Sequence, residues 1–332
     1  MIKLKNTLVC TLAAITMLPL VGSVASATTI EALETFDFPG AGNATVPQKI
    51  NDRGVIVGTV IDVNGVVQGF YRSRNGTFSN AFSEPNDTGA LTQGRGINNA
   101  RTICGEYLDG TNLVFHGYFL AHTNFVEYDV PDTSNTIPLG INNAGDFVGS
   151  VVLNDGVTQL GFANIAGAVA TFGVPEAAAT LAYQLNASNE MVGYYIDAAG
   201  ITHGYTRDSV GNLTFPIDPD GANGTILFGN NDANWIVGRY ADAAGVTHGL
   251  FSSAPGEFVT YDYPGAVFTS LNGINRQGFI CGRFIDAAGV VHGLLARVHP
   301  GGTSEPGSSH VAPAGKLIHQ SPELTKIGAA AF

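Results

Sequence analysis

The chain has 332 residues, of which 43 are glycine; 13% are charged and the net charge is −12. Glycine far above its usual ~7% and charge far below its usual ~25% argue against long helices, because Gly costs ~1 kcal/mol against Ala in a helix interior. The 45% apolar content argues against disorder, and the acidic balance excludes nucleic acid as a partner, since phosphate recognition needs a Lys/Arg footprint.

The first element in chain order is a predicted secretory signal peptide over residues 1–27. Lys3 and Lys5 form its positive start, an apolar stretch runs from about Leu8 to Val21, and Ala25-Ser26-Ala27 is the cleavage signal. The apolar run falls short of the ~20 residues that a spanning helix needs, so no membrane insertion is expected. The mature protein is expected to be secreted, extracellular or periplasmic, and monomeric.

Residues 28–298 are internally repetitive. An Asn recurs at Asn51, Asn98, Asn142, Asn186, Asn231 and Asn275, at spacings of 47, 44, 44, 45 and 44. Six residues before each stands a Thr: Thr45, Thr92, Thr136, Thr180, Thr225 and Thr269. Seven residues after each stands a Gly, from Gly58 to Gly282, and a second Gly closes each unit, from Gly69 to Gly293. Each unit reads as four short strands, A to D. Strand A runs from the Thr to the Asn, and strand B follows an Asn/Gly turn, as in Ile236-Val-Gly-Arg-Tyr240. An Asp-Ala-Ala-Gly turn leads to strand C, as in His203-Gly-Tyr205, and strand D follows, as in Phe258-Val-Thr-Tyr-Asp-Tyr263. Four strands in about 45 residues make one propeller blade.

The predicted fold is therefore all-β: a six-bladed β-propeller with four-stranded blades. The last unit ends after strand C, while an orphan strand D, Leu33-Glu-Thr-Phe-Asp-Phe38, precedes the first Thr. The N-terminal strand is expected to complete the last blade and close the ring, which hides sheet edges.

The Gly-Ile-Asn, Val-Gly-x-Tyr, Asp-x-x-Gly-x-x-His-Gly and Asp-x-Pro-Gly-Ala elements resemble the HAF family of bacterial extracellular repeats, over about residues 30 to 298. The resemblance implies secretion and a propeller fold, and carries no particular activity. Unit three departs most, with Asn154-Asp-Gly-Val-Thr-Gln-Leu-Gly161 lacking the histidine, and unit one has Gln68 in its place. Residues 299–332 carry no repeat, are rich in Pro, Gly and Ser, and read as a flexible C-terminal tail.

His116, His203, His248 and His292 share one repeat position. Metal binding or base chemistry is one reading. The simpler one is a structural hydrogen-bond network, because Gln68 and Gln159 replace His and Gln cannot titrate. No metal ligand set is assigned. Asp62, Asp109, Asp197, Asp242 and Asp286 in the B–C turns, with Asp37, Asp129, Asp218 and Asp262 before strand A, should make one face acidic. They serve either calcium or turn formation. No cofactor is predicted, apart from calcium on that face.

Specificity should sit where the repeats differ. Three residues before the Asn the chain has Gln48, Arg95, Leu139, Tyr183, Phe228 and Asn272; one residue after the strand-B Gly it has Thr59, Glu106, Ser150, Tyr194, Arg239 and Arg283. Arg95, Glu106, Tyr183, Tyr194, Arg239 and Arg283 are the candidate binding residues, a polar and aromatic set of the kind that binds sugars or peptides; packing between blades is the alternative. No nucleophile, zinc or P-loop motif occurs, so no catalytic residue is assigned. Cys104 and Cys281 hold one strand-B position in non-adjacent blades, which predicts two buried free thiols. The expected function is an extracellular binding module that takes a glycan or protein on one ring face. A propeller enzyme acting on extracellular polysaccharide, a lyase or hydrolase, is the alternative.

Overall fold

The computed structural model describes residues 27–301. The leader assigned to 1–27 lies outside them except for Ala27, and the tail assigned to 299–332 except for its first three residues. The described residues form 23 strands and no helix, and so contain no helix long and apolar enough to cross a membrane.

Unit two shows the pattern. Its strands A (Thr92–Ile97), B (Ile103–Asp109), C (Val114–Ala121) and D (Asn124–Tyr128) pair antiparallel in chain order. Units three, four and five repeat it. In unit six, strands Phe268–Ile274, Phe279–Ile285 and Val291–His299 take their fourth member from the N-terminus: Thr29–Phe36 pairs antiparallel with Val291–His299. The orphan strand thus pairs where the sequence analysis expects it. Unit one departs from the four-strand reading. After Ala41–Ile50, Ile56–Asp62 and Val67–Arg72, its fourth strand shrinks to two isolated bridges, Gly69 to Phe82 and Arg72 to Phe78. Ser79 and Asn80 between the bridges, and Ser83 and Pro85 after them, supply neither β-branched side chains nor, at Pro85, an N–H.

Burial falls from strand A outward. The strand A residues of unit three are buried from Pro138 to Ile141, whereas strand D (Ala168–Phe172) is mostly exposed. The sheet faces pack unit against unit: Val55 and Val57 of unit one lie against Ile97, Tyr107 and Tyr118 of unit two. Neighbouring units also touch through single parallel bridges, Gln159 to Ala179 and Thr247 to Phe268 among them, and Ala44 of unit one bridges Val291 of unit six in the same way.

The repeated residues explain themselves. Each repeated Asn folds its own turn: Asn51 Oδ1 accepts the N–H groups of Arg53 and Val55 at 3.0 and 2.9 Å, and the other five do the same. In five units the Asn Nδ2 donates to the backbone carbonyl of the next unit's Asn, including Asn275 to Asn51 at 3.1 Å. Only Asn does both jobs, since Asp lacks the donor. Each Thr hydroxyl accepts an N–H from the corner before strand A, as Thr180 does from Val174 at 2.9 Å. Thr225 is the exception: Pro219 holds the donor's place and has no N–H, so the buried Thr225 Oγ1 has no partner. The strand-B glycines admit the inner strand's backbone. A Cβ at Gly105 would sit 1.9 Å from the Gln93 carbonyl oxygen.

Candidate functional site

All six strands A carry a register shift at one place. The residue skipped in pairing is Gln48, Arg95, Leu139, Tyr183, Phe228 or Asn272. A bulge leaves its extra residue out of the ladder and re-aims the side chain. The position that varies most between repeats is therefore the one that the backbone releases from the sheet.

These side chains and those after the strand-B Gly meet where the six inner strands converge. Arg95 forms a two-pronged pair with Glu106, Nε to Oε1 at 2.9 Å and Nη2 to Oε1 at 2.7 Å. Glu106 is 2% exposed. Burial disfavours the Arg95 charge, but Glu106 outweighs it and raises the guanidinium pKa. The rings of Tyr183 and Tyr194 lie 5.7 Å apart, and Tyr183 meets Phe228 edge-on at 5.0 Å. Arg239 lies 5.4 Å from the Phe228 and Phe268 rings, and Arg283 lies 5.4 Å from Phe268. Burial pushes Arg283 down to about 9, with Arg239 and Arg95 adding repulsion. Burial, and then the neighbouring Tyr183, raises the Tyr194 hydroxyl. The six candidate residues, drawn from units two, four, five and six, thus form one half-buried cluster at the centre rather than a set spread over an outer face.

A cavity of about 80 Å³ adjoins this cluster, lined by Gln48, Thr59, Gln93 and Arg283 among others. A second hollow of about 60 Å³ lies beside the repeated Asn residues and draws on all six units through Asp52, Asn99, Asn143, Ala187, Asp232 and Arg276. Asp52 anchors it, accepting from the Arg276 N–H at 3.0 Å and the Asn99 side chain at 2.9 Å and pairing with the Arg276 guanidinium at 3.1 Å.

Sequence reasoning missed Lys49. It stands two residues before Asn51, where four other units have Gly. Those glycines let inner strands close on each other: a Cβ at Gly273 would sit 2.9 Å from Lys49 Cα. The exception in that pattern was the available signal. Lys49 is 5% exposed, and its ammonium reaches the ring of Tyr183, in unit four, at 5.5 Å. Burial lowers its pKa to about 8.

The repeat-position histidines lie elsewhere, each against a ring and three of them between two aspartates. His203 Nδ1 meets Asp218 at 2.7 Å and Nε2 meets Asp197 at 3.4 Å, with the imidazole stacked on Tyr195. His248 and His292 repeat this with Asp262 and Asp242, and with Asp37 and Asp286; His116 meets Asp129 at 2.7 Å. Where Gln replaces His, Gln159 reaches the Ser150 hydroxyl at 2.9 Å and Gln68 that of Ser83 at 3.3 Å. The turn aspartates accept their own turn's N–H groups, as Asp197 does from Ala199 and Ile201. In unit two Glu127, unnoticed in the sequence, joins His116 and Asp129, with candidate ligand atoms within 4.8 Å of one another. Glu127 also accepts the Tyr107 hydroxyl. Cys104 and Cys281 are buried free thiols, both pushed up to about 12 by burial.

Repeated antiparallel four-strand units with buried inner strands and unit-on-unit faces define a β-propeller fold. Solved structures similar to the chain include a six-bladed propeller. A fungal lectin from Aleuria aurantia, described as a six-bladed β-propeller, superposes with a TM-score of 0.50 at 10% identity, covering 83% of this chain and 100% of that one. AofleA from Arthrobotrys oligospora gives 0.52 at 8% identity, with 84% and 90% covered. TolB from Acinetobacter baumannii gives 0.52 at 11% identity, with 73% and 63% covered. At such identities the likeness is one of fold. No family model and no curated protein matches the chain.

Proposed function

We propose that this protein is a secreted, monomeric glycan-binding module, built as a closed six-bladed propeller that receives its ligand at the central cluster. The observation that carries this reading is the convergence of Arg95, Glu106, Tyr183, Tyr194, Arg239 and Arg283. These residues break the repeat symmetry, and bulges release Arg95 and Tyr183 from the ladder while the other four stand on the paired strands B beside them. Paired tyrosines offer apolar faces to a sugar ring, and the Arg and Glu groups offer directed hydrogen bonds. The Asn275 to Asn51 bond and the pairing of the N-terminal strand in unit six support ring closure. The leader pattern and the resemblance to HAF repeats support secretion. The Aleuria aurantia protein is described with a fucose recognition mode; the ligand class proposed here rests on this chain's own residues. Calcium on the Asp-rich face is kept as a second element of the proposal. The test is a glycan-array and polysaccharide-turnover screen of the mature protein, with and without calcium. Saturable binding without product supports the module. Product formation, or no binding to any glycan, overturns it.

A further inference from the structure

Four units carry the repeat histidine, so each copy is a control for the others. In units four, five and six the imidazole Nδ1 meets the aspartate that follows strand D, and Nε2 meets the turn aspartate at 3.4, 3.5 and 3.3 Å. Unit two departs from this at three places. Its turn aspartate, Asp109, accepts the Thr111 N–H at 2.8 Å and the Thr88 hydroxyl at 3.1 Å instead, and among the described residues no turn aspartate bonds His116. Two residues before the strand-D aspartate stands Glu127, where units four, five and six have Pro216, Thr260 and Thr35. Folding does not require a carboxylate there: in unit five the Tyr240 hydroxyl meets the Thr260 hydroxyl at 3.0 Å, as the Tyr107 hydroxyl meets Glu127 in unit two. The third departure is Glu84, from the corner before strand A, which is 5% exposed. Its Oε2 accepts the Asn86 N–H at 2.5 Å, and its Oε1 accepts no hydrogen bond among the described residues. Burial, and then repulsion from Glu127 and Asp87, raises the Glu84 carboxyl. No Lys or Arg among the described residues pairs with Glu84, Asp87, Glu127 or Asp129, so unit two gathers negative charge around one imidazole with no cation to balance it. The strand register explains the gathering. Tyr107 pairs with His116, Gly117 pairs with Tyr128, and Glu127 stands two residues from Asp129, so all four side chains share one face of the sheet.

We propose that His116, Glu127 and Asp129 form a binding site for a divalent ion of the zinc class, with the Tyr107 hydroxyl orienting Glu127 and the Glu84 carboxylate adding counter-charge. One imidazole and two carboxylates suit such an ion better than calcium, whose ligands are oxygens. The candidate ligand atoms lie within 4.8 Å of one another. Bonds of about 2.0–2.2 Å to a shared ion draw them closer, which rotation of the exposed Glu127 and Asp129 carboxylates allows. A hydrogen-bond donor that fixes a ligating carboxylate, as Tyr107 fixes Glu127, is the usual support of a metal ligand. The site lies on unit two, apart from the central cluster, and does not depend on that cluster being where a glycan binds.

The test is calorimetric titration of the mature protein, freed of metal by chelator, with zinc chloride. The expected result is saturable zinc binding that a large excess of calcium does not displace. Glu127→Thr takes the residue of unit five, so the Tyr107 hydroxyl keeps an acceptor; it should weaken zinc binding at least tenfold. His116→Gln, the residue type of units one and three, should weaken it as much and serves as the second variant if Glu127→Thr does not fold. His248→Gln, in a unit that has Thr260 where unit two has Glu127, should leave binding unchanged. No saturable zinc binding, displacement of zinc by calcium, or equal zinc binding by wild type and the unit-two variants overturns the proposal.

Discussion

Asn275 donates its side-chain N–H to the backbone carbonyl of Asn51 at 3.1 Å, across 224 residues of chain. The same bond joins units one to two, three to four, four to five and five to six. It is the repeat's own staple applied once more between the two ends of the array. Asn275→Asp keeps the Oδ1 acceptor that folds the turn and removes the donor. It should cost about 1–3 kcal/mol in urea unfolding. Asn98→Asp should cost less, because among the described residues the Asn98 amide donates to no carbonyl of the next unit. Equal losses would make the staple irrelevant.

The Thr position offers a paired test. Thr180→Val leaves the buried Val174 N–H unsatisfied and should cost about 1–3 kcal/mol. Thr225→Val removes a hydroxyl that already has no partner and should fall within about 0.5 kcal/mol of wild type or gain slightly. Unfolding midpoints of the two variants check this.

The histidine network sets a pH dependence. Burial opposes the charged form of His203, but hydrogen bonds to Asp218 and Asp197 outweigh it and raise its pKa above 6.5. His292 is likewise raised, chiefly by Asp37 and against burial. A raised folded-state pKa contributes stability that is fully present below ~6.5 and lost as pH rises through the raised value. The unfolding free energy should therefore fall from pH 6 to pH 8, by a few tenths of a kcal/mol per histidine given partial exposure. His203→Gln, the residue type found in units one and three, should flatten its share of that slope while remaining folded at pH 8.

The thiols give a chemical check. Cys104 and Cys281 are fully buried, and burial raises both to about 12. They should resist alkylation in the native protein at pH 8. In denaturant without reductant both should label, and failure to label would indicate a disulfide.

What the sequence revealed and what it hid divide along a physical line. Thr180, Asn186 and Gly193 are legible because the same local demand recurs in every unit, so repetition exposes it. The pairing of Thr29–Phe36 in unit six was legible as a missing strand at one end and a spare strand at the other. The bulges were not, because a skipped residue in strand A leaves the spacing of the Thr and Asn unchanged. Hence the variable residues could be picked out, but not their place at the centre. Lys49 was hidden for a related reason: a period gives position along a strand and not distance from the middle of the fold. Glu127 was hidden because its partners His116 and Asp129 come together only through the pairing of strands C and D.

The central claim is that the symmetry-breaking cluster is where ligand binds, and array binding of the wild-type protein beside Tyr183→Ala tests it most directly. With both proteins shown to be folded by their thermal transitions, the account predicts that wild type is retained by a glycan and that the variant loses at least tenfold in affinity for it. Equal retention of the two proteins would put the ligand elsewhere on the propeller and contradict the account.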